Sequence, residues 1–312
     1  MTTLGDMINE VLINLAGYTY QQDRSTYLTA AVTTTTQTSL ALASSDNVGK
    51  GIIEINDELL WVDFYDRLAN TATVAPYGRG YLGSTAATAA IYDKVTISPT
   101  FPRFSIKRAI NDTINAIGSQ VKSLKTTSFT FNSAVATYAF GNLNIQSIQS
   151  VSYQTVGPSK VWQPIRNYRF DSNANYAGFT TFADTGATPI STDKVQTLTI
   201  ADIPTSGRTV QVVYYGTPST FTTSAETFTT QTGFTESIKD VVIYGAIYRL
   251  LAFLDPAKAA MVSPQADETD SKRPFGTSGS TTKQIYALFQ QRLNEEIKNQ
   301  QAQNPIRVHY AV

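Results

Sequence analysis

The chain has 312 residues, enough to bury a core unaided, and its lack of cysteine excludes disulfides, thiolate metal sites and cysteine nucleophiles. Its single histidine, His309, stands close to the C-terminal end, which leaves Ser-His-Asp triads, paired-histidine zinc sites and imidazole acid–base chemistry without a residue in a folded position. Twenty-four basic and 24 acidic residues cancel, so no chain-wide field attracts nucleic acid or a membrane.

The charged fraction is 15%, against about 25% in ordinary soluble domains, and 44 residues are threonine. Threonine is stiff at its branched Cβ and suits half-buried strands, while its hydroxyl keeps a face wettable without charge; such surfaces pack well against other subunits. No apolar run approaches the ~18 residues of a membrane span. Residues 1–20 lack the basic start and unbroken apolar stretch of a signal peptide, so synthesis in the cytoplasm is expected.

Leu4, Met7, Ile8, Val11, Leu12 and Leu15 recur at three- and four-residue steps, which predicts a helix ending at Gly17. From about Tyr27 to Pro99 short β-branched runs alternate with Gly, Asn and Asp, the pattern of a small all-β unit. Pro102 precedes a second helix, whose Ile106, Ile110, Ile114, Ile117, Val121 and Leu124 form a narrow stripe. At ~1.5–3 kcal/mol per buried aliphatic side chain the stripe is worth on the order of 10 kcal/mol, provided another helix covers it. Gly118 weakens this helix by up to ~1 kcal/mol relative to Ala but allows a close backbone approach, and the helix is expected to run through it unbroken.

Ser128 to about Thr230 is again β-like, as in Phe129-Thr130-Phe131 and Thr209-Val210-Gln211-Val212-Val213-Tyr214. A third helix is predicted from Glu236 to Leu254, capped by Thr232 or Thr235; it has hardly any polar face, which predicts a central, buried position. Asp255 to Gly279, with three prolines and no periodicity, predicts a long loop. A fourth helix is predicted from Thr281 to Gln300, with Ile285, Leu288, Phe289, Leu293 and Ile297 on one side. Beyond Pro305, Ile306-Arg307-Val308-His309-Tyr310-Ala311-Val312 alternates like a strand with no strand neighbour in sequence.

Two stretches carry a family likeness. In Glu236–Ile297, Val241-Val242-Ile243-Tyr244-Gly245-Ala246-Ile247-Tyr248-Arg249-Leu250-Leu251 is followed after the loop by Tyr286-Ala287-Leu288-Phe289-Gln290-Gln291-Arg292-Leu293. This pair resembles the last two helices of the head-to-tail adaptors, or connectors, of tailed phages. In Ile52–Val95, Ile55-Asn56-Asp57-Glu58-Leu59-Leu60-Trp61-Val62 and Gly78-Arg79-Gly80-Tyr81-Leu82-Gly83-Ser84 resemble a small β module of phage virion proteins, which often continues with a histidine and a glycine where this chain has Ala89 and Tyr92.

The expected fold is therefore α+β: a four-helix adaptor bundle from residues 1–26, 101–127 and 231–303, with two inserted antiparallel β domains. The inserts are a small β-barrel-like unit over 27–100 and a second β unit over 128–230, and residues 304–312 form an extended C-terminal tail. The resemblance implies a virion structural protein of the neck, a ring of twelve copies docked on the portal. That ring would connect capsid to tail and form part of the channel through which DNA passes without specific binding. Its partners would be the portal protein and neck or tail proteins; no enzymatic activity, cofactor, metal or membrane is expected.

Gly78, Gly80 and Gly83 allow a tight, positive-φ path that Arg79 can tie to Glu58 or Asp57. A dinucleotide loop is not supported, because no βαβ pattern or acidic ribose partner follows. Glu54, Asp57, Glu58, Asp63 and Asp66 form the one dense acidic cluster. Alternation sends Glu54, Asn56 and Glu58 to one strand face, which is expected to be solvated or paired with Arg79 rather than catalytic or metal-binding. Asp267-Glu268-Thr269-Asp270 is expected to be an acidic loop surface. Arg103, Lys107, Arg108, Lys122 and Lys125 are expected on a solvated helix face, since tight phosphate contacts would hinder a DNA conduit.

The candidate partner-binding residues are Pro305, Ile306, Arg307, Val308, His309 and Tyr310. The nine residues 304–312 reach at most ~30 Å when extended, enough to add a strand to the portal or to a neighbouring subunit. The alternative reading is a tail-fibre or receptor-binding protein, which predicts trimers that bind sugars or host surfaces and leaves the apolar third helix unexplained. A virion-associated hydrolase would need an acidic pair in a cleft.

Overall fold

The computed structural model describes residues 1–18, 23–135, 137–140, 145–157, 160–175, 183–184, 194–202, 204–259 and 277–303. Contacts divide the chain into two compact units. The first comprises Met1–Thr113, Phe221–Thr227 and Lys239–Arg292; the second comprises Ile114–Thr220, Phe228–Ile238 and Leu293–Val312.

The first unit opens with α1 (Leu4–Leu15), where Thr3 Oγ1 accepts the Asp6 N–H at 3.2 Å and Asp6 Oδ2 accepts the Thr3 N–H at 2.9 Å. This reciprocal cap satisfies two orphan donors of the first turn, and the bonds from Thr3 hold the Asp6 carboxyl below its usual range. A single 3₁₀ turn, Ala16–Tyr18, carries the chain past the predicted stop at Gly17.

Six strands follow: β1 (Arg24–Tyr27), β2 (Ser39–Ala41), β3 (Gly51–Ile55), β4 (Glu58–Asp66), β5 (Thr71–Val74) and β6 (Lys94–Ile97). Their order, β1-β6-β3-β4-β5-β2, leaves β1 and β2 at the two ends. The ends meet: the Thr29 N–H donates to Ala41 O, the Ala43 N–H donates to Tyr27 O, and Leu28 bridges to Leu42, so the sheet closes on itself. Alternate residues point inward, and Leu28, Leu40, Ile53, Leu60, Val62, Ala72 and Val95 fill the interior. The β3–β4 hairpin turns in two residues, Asn56 and Asp57, with Asn56 at φ 53°, a left-handed conformation asparagine tolerates.

Next comes α2 (Arg103–Ile117). Helices α4 (Lys239–Ala259) and α5 (Thr277–Gln303) bracket residues outside the description. Helix α1 packs on α4. In the first unit Gly245 of α4 lies so close to Thr113 of α2 and Phe289 of α5 that an added Cβ would stand 2.4 Å and 3.0 Å from them. A side chain larger than hydrogen at position 245 would therefore force these neighbours to shift.

The second unit holds β7 (Ser123–Thr130), β8 (Thr137–Phe140), β9 (Ile145–Gln154), β10 (Trp162–Ile165), β11 (Tyr168–Asn175), β12 (Ala183–Asp184), β13 (Lys194–Ile200) and β14 (Thr209–Gly216), with the short α3 (Phe228–Thr232). They form two four-stranded sheets, β10-β9-β14-β7 and β11-β13-β8-β12, in which only β12–β8 is parallel among the described pairs. Phe131, Tyr138, Phe140, Ile145, Val151, Leu198, Val210, Val212 and Tyr214 form one core drawn from both sheets, so the unit is a two-sheet sandwich.

The expected fold class, a four-helix bundle carrying two β inserts, is overturned. Fourteen strands in three sheets dominate the described residues, accompanied by five α-helices. The physical reason is that an apolar stripe announces a face needing cover but not what covers it. Helix α2 also breaks where continuity was expected. It stops at Ile117, next to Gly118, which packs so closely on Pro218 that the ring carbons would lie 2.7 Å from an added Cβ, and Leu124 belongs to β7 instead. Helix α4 continues past Pro256, and α3 was not anticipated.

Candidate functional site

The acidic cluster is built into the barrel. Glu58 opens β4 and Arg79 sits in the glycine-rich turn, and their side chains, 4% and 8% exposed, form a two-pronged pair: Arg79 Nε donates to Glu58 Oε1 at 2.7 Å and Nη2 to Oε2 at 2.9 Å. Arg79 also donates to the carbonyls of Thr34, Gln37 and Ala87, while Glu58 accepts the N–H groups of Gly80 and Ala87 at 3.0 Å. All five guanidinium donors are thereby used, which ties three loops together rather than leaving a reactive carboxylate. Gly80 and Gly83, at φ 60° and 86°, take the positive-φ path that the spacing predicted, whereas Gly78 does not and is needed instead for its close approach to Trp61 O.

Glu54 does not lie on a solvated face. It is buried at the start of α2, where Oε1 accepts the Arg103 N–H at 2.5 Å, so a barrel strand caps the helix. Burial pushes its carboxyl up to about 7, against the opposing pull of that hydrogen bond and of the Arg103 charge. Arg103 in turn reaches Asp57 Oδ1 at 3.2 Å and Asn9 Oδ1 at 3.0 Å. These groups line a cleft of about 450 Å³ with Asp23, Lys94, Leu12 and Phe101. Asp63 pairs with exposed Lys50 at 3.2 Å, and Asp66 accepts the N–H groups of Leu68 and Ala69 in a turn. Among the described residues no three His, Asp or Glu side chains converge as metal ligands.

Arg108 is exposed on α2 as expected, whereas Lys107, Lys122 and Lys125 meet groups of their own units. Lys107 donates to Thr222 O, Lys125 reaches Ser219 Oγ at 3.2 Å, and Lys122 Nζ lies 4.7 Å from the centre of the Tyr215 ring. Burial holds the Lys125 amine below its usual value. The aromatics of the second β region, among them Phe131, Tyr138 and Tyr214, are mainly core.

Pro305, Ile306, Arg307, Val308, His309 and Tyr310 lie outside the described residues, as do residues 267–270. What the structure does give is the place the tail leaves from. In the second unit the last turns of α5 line an open cleft of about 590 Å³ with Lys122, Leu124, Tyr215, Gly233, Thr235 and Ile297. Leu124 is 44% exposed there, and Tyr286 and Leu288 of α5 are 43% and 47% exposed.

A family model for the SU10 adaptor protein matches residues 81–309, well over half of the chain. The chain belongs to the SU10 adaptor family. It is thus a structural adaptor protein of a phage, resident in the virion and in contact with other head or tail proteins. Of the two stretches that carry the likeness in sequence, Glu236–Ile297 lies wholly inside the matched region, whereas Ile52–Val95 falls largely before it. No curated protein matches the chain. Among the described residues no helix is long and apolar enough to cross a membrane.

Proposed function

We propose that this SU10 adaptor forms the head-to-tail ring of its particle, docking on the portal, connecting capsid to tail and forming part of the channel through which DNA passes. The observation that carries the reading is the family match across residues 81–309, which spans the sandwich, the last two helices and most of the tail. A ring of twelve identical copies lets each contact be weak, because closure raises the effective concentration of every other contact. The tail residues Pro305 to Tyr310 supply a contact to the portal or to a neighbouring subunit, and the exposed apolar residues of α5 supply further area. The role is mechanical. Consistent with an adaptor that performs no catalysis, the Glu58 and Arg79 side chains are consumed in holding the barrel turn.

Negative-stain microscopy of the purified protein with and without its portal tests the proposal. Rings seated on the portal are expected; a stable monomer that never joins the portal overturns it. Removal of residues 304–312 is expected to weaken docking while the fold persists, and unchanged docking removes the tail from the interface.

A further inference from the structure

One edge of the sandwich is open and carries nothing that discourages pairing. The Phe131 N–H donates to Arg208 O and its C=O accepts the Gly207 N–H, both at 2.8 Å, so Phe131 faces the β14 side. Backbone groups alternate sides with period two along a strand. Thr126, Ser128 and Thr130 therefore turn their N–H and C=O groups away from β14, the one strand paired with β7 among the described residues. The beginning of the edge is occupied from within the unit. There Gln300 Nε2 donates to Lys122 O at 3.1 Å and Oε1 accepts the Lys122 N–H at 2.9 Å, while a Cβ added to Gly233 would stand 3.4 Å from Leu124 O.

The other described edges are blunted. Strand β10 has four residues including Pro164, β12 has two, and β11 bears Arg169, Asp171 and a bulge between Asp171 and Ala174. From Thr126 to Thr130, by contrast, β7 has no charge, no proline and no irregularity in its register with β14.

We infer that this edge is taken by the same edge of a second copy, the two β7 strands running antiparallel about a two-fold axis at Ser128. Self-complementarity selects that occupant. Thr126-x-Ser128-x-Thr130 reads alike in both directions, so Thr126 meets the partner's Thr130 and Ser128 meets the partner's Ser128, each pair exchanging both backbone bonds. The exposed hydroxyls of these residues donate and accept alike and so match their own copies on the outer face. On the inner face Thr127 meets the partner's Phe129, and each Phe129 ring keeps its contacts with Tyr138 and Phe140 of its own chain. Charge agrees with this register: Lys125 lies beyond the paired stretch, its amine held by Ser219, and no like charges face each other. Moving the axis to Thr127 would bring the partner's Thr130 opposite Leu124, where Gly233 stands. A paired stretch ~17 Å long on a sheet ~10 Å thick buries on the order of 170 Å² per copy, far below the ~800 Å² of a stable dimer, so the pair is weak and reversible. The inference goes beyond the adaptor reading and does not rest on it. In the ring proposed above all copies point one way and no such axis exists, so there the pair must open.

The absence of cysteine makes the test direct. Ser128→Cys sets two thiols across the axis, where facing Cα atoms stand ~5.5 Å apart, within disulfide reach, whereas Thr126→Cys sets them more than ~13 Å apart. Under mild oxidation of the full chain, Ser128→Cys is expected to form disulfide dimers at least about tenfold faster than Thr126→Cys or Thr130→Cys alone. The double variant Thr126→Cys with Thr130→Cys is expected to dimerise as Ser128→Cys does. Equal rates among the single variants, or no dimer, overturn the inference. Hydrogen exchange of the unsubstituted chain gives a readout independent of how these variants fold: the amides of Thr126, Ser128 and Thr130 are expected to slow by roughly threefold or more from dilute to concentrated solution, while those of Thr127 and Phe129, on the β14 side, keep their rates. Rates that do not depend on concentration overturn it. Both measurements use the isolated chain, so their failure is distinct from a failure to join the portal.

Discussion

The two β regions solve the same problem in opposite ways. The first closes its sheet by joining β1 to β2, so its pairing capacity is satisfied internally, and a buried Arg79–Glu58 pair locks the loops around it. The second is a sandwich whose β7 keeps one side unpaired among the described strands. A structural adaptor that must hold its shape and also contact other particle proteins needs both kinds of region. The contrast places rigidity in the barrel and interaction capacity at the sandwich edge and the last turns of α5.

The largest expected effect lies at the lock. Arg79→Met leaves Glu58 buried without its partner, which is expected to cost about 3–5 kcal/mol, read by urea unfolding. The double variant with Glu58→Gln is expected to recover part of that loss, since the stranded charge is then gone. A loss well under 1 kcal/mol would mean that the barrel's rigidity does not depend on the pair.

Glu54 gives the next effect, and its sign follows from burial. Its folded-state value, about 7, lies above the ordinary 4.5, so the folded chain holds a proton that the unfolded chain releases between those values. Its contribution is full below about pH 4.5 and is lost as pH rises through about 7, by roughly 3 kcal/mol. Glu54→Gln keeps an acceptor for the Arg103 N–H and removes the titration. The variant is expected to gain stability over the parent between pH 5 and pH 8, whereas a constant difference across that range would mean that Glu54 is not raised. Gly78→Ala follows, at about 1–3 kcal/mol, because its Cβ would stand 2.5 Å from Trp61 O inside the closed barrel.

How far the sequence alone reveals this arrangement depends on the range of the interaction. The α1 pattern, five of whose six apolar positions are buried while Leu12 is only half-buried, the alternation of β14 and the Gly78–Gly83 turn are local signals, and the structure bears out their element types. What covers each face is a long-range matter. Glu54 looks like a surface residue in its strand, and nothing in its neighbours announces the N-terminus of α2, nearly fifty positions later, that buries it. The stripe from Ile106 to Leu124 keeps its period across Gly118, yet the helix ends at Ile117 and Gly118 packs against Pro218, a hundred residues away. The β7 edge was hidden for the same reason: Leu124 fits the helical spacing, and only the pairing with Tyr215 and the bond from Gln300 to Lys122 assign it to a strand.

The smallest effect on stability is expected where the comparison predicts the largest effect on assembly. Thr126 and Ser128 lie on the exposed face of β7, and lysine there adds charge without removing a core contact. Such surface changes typically alter stability by less than about 0.5 kcal/mol. Lysines along an edge also discourage strand addition, because the incoming chain must desolvate them and meet their charge. Thr126→Lys with Ser128→Lys is therefore expected to melt like the parent chain while incorporating less well into particles, scored by protein content of purified virions. The same two substitutions on a closed sheet would have no edge to act on. If stability and incorporation fall together, the β7 edge is part of the sandwich's own support; if neither changes, it is not a surface the particle uses.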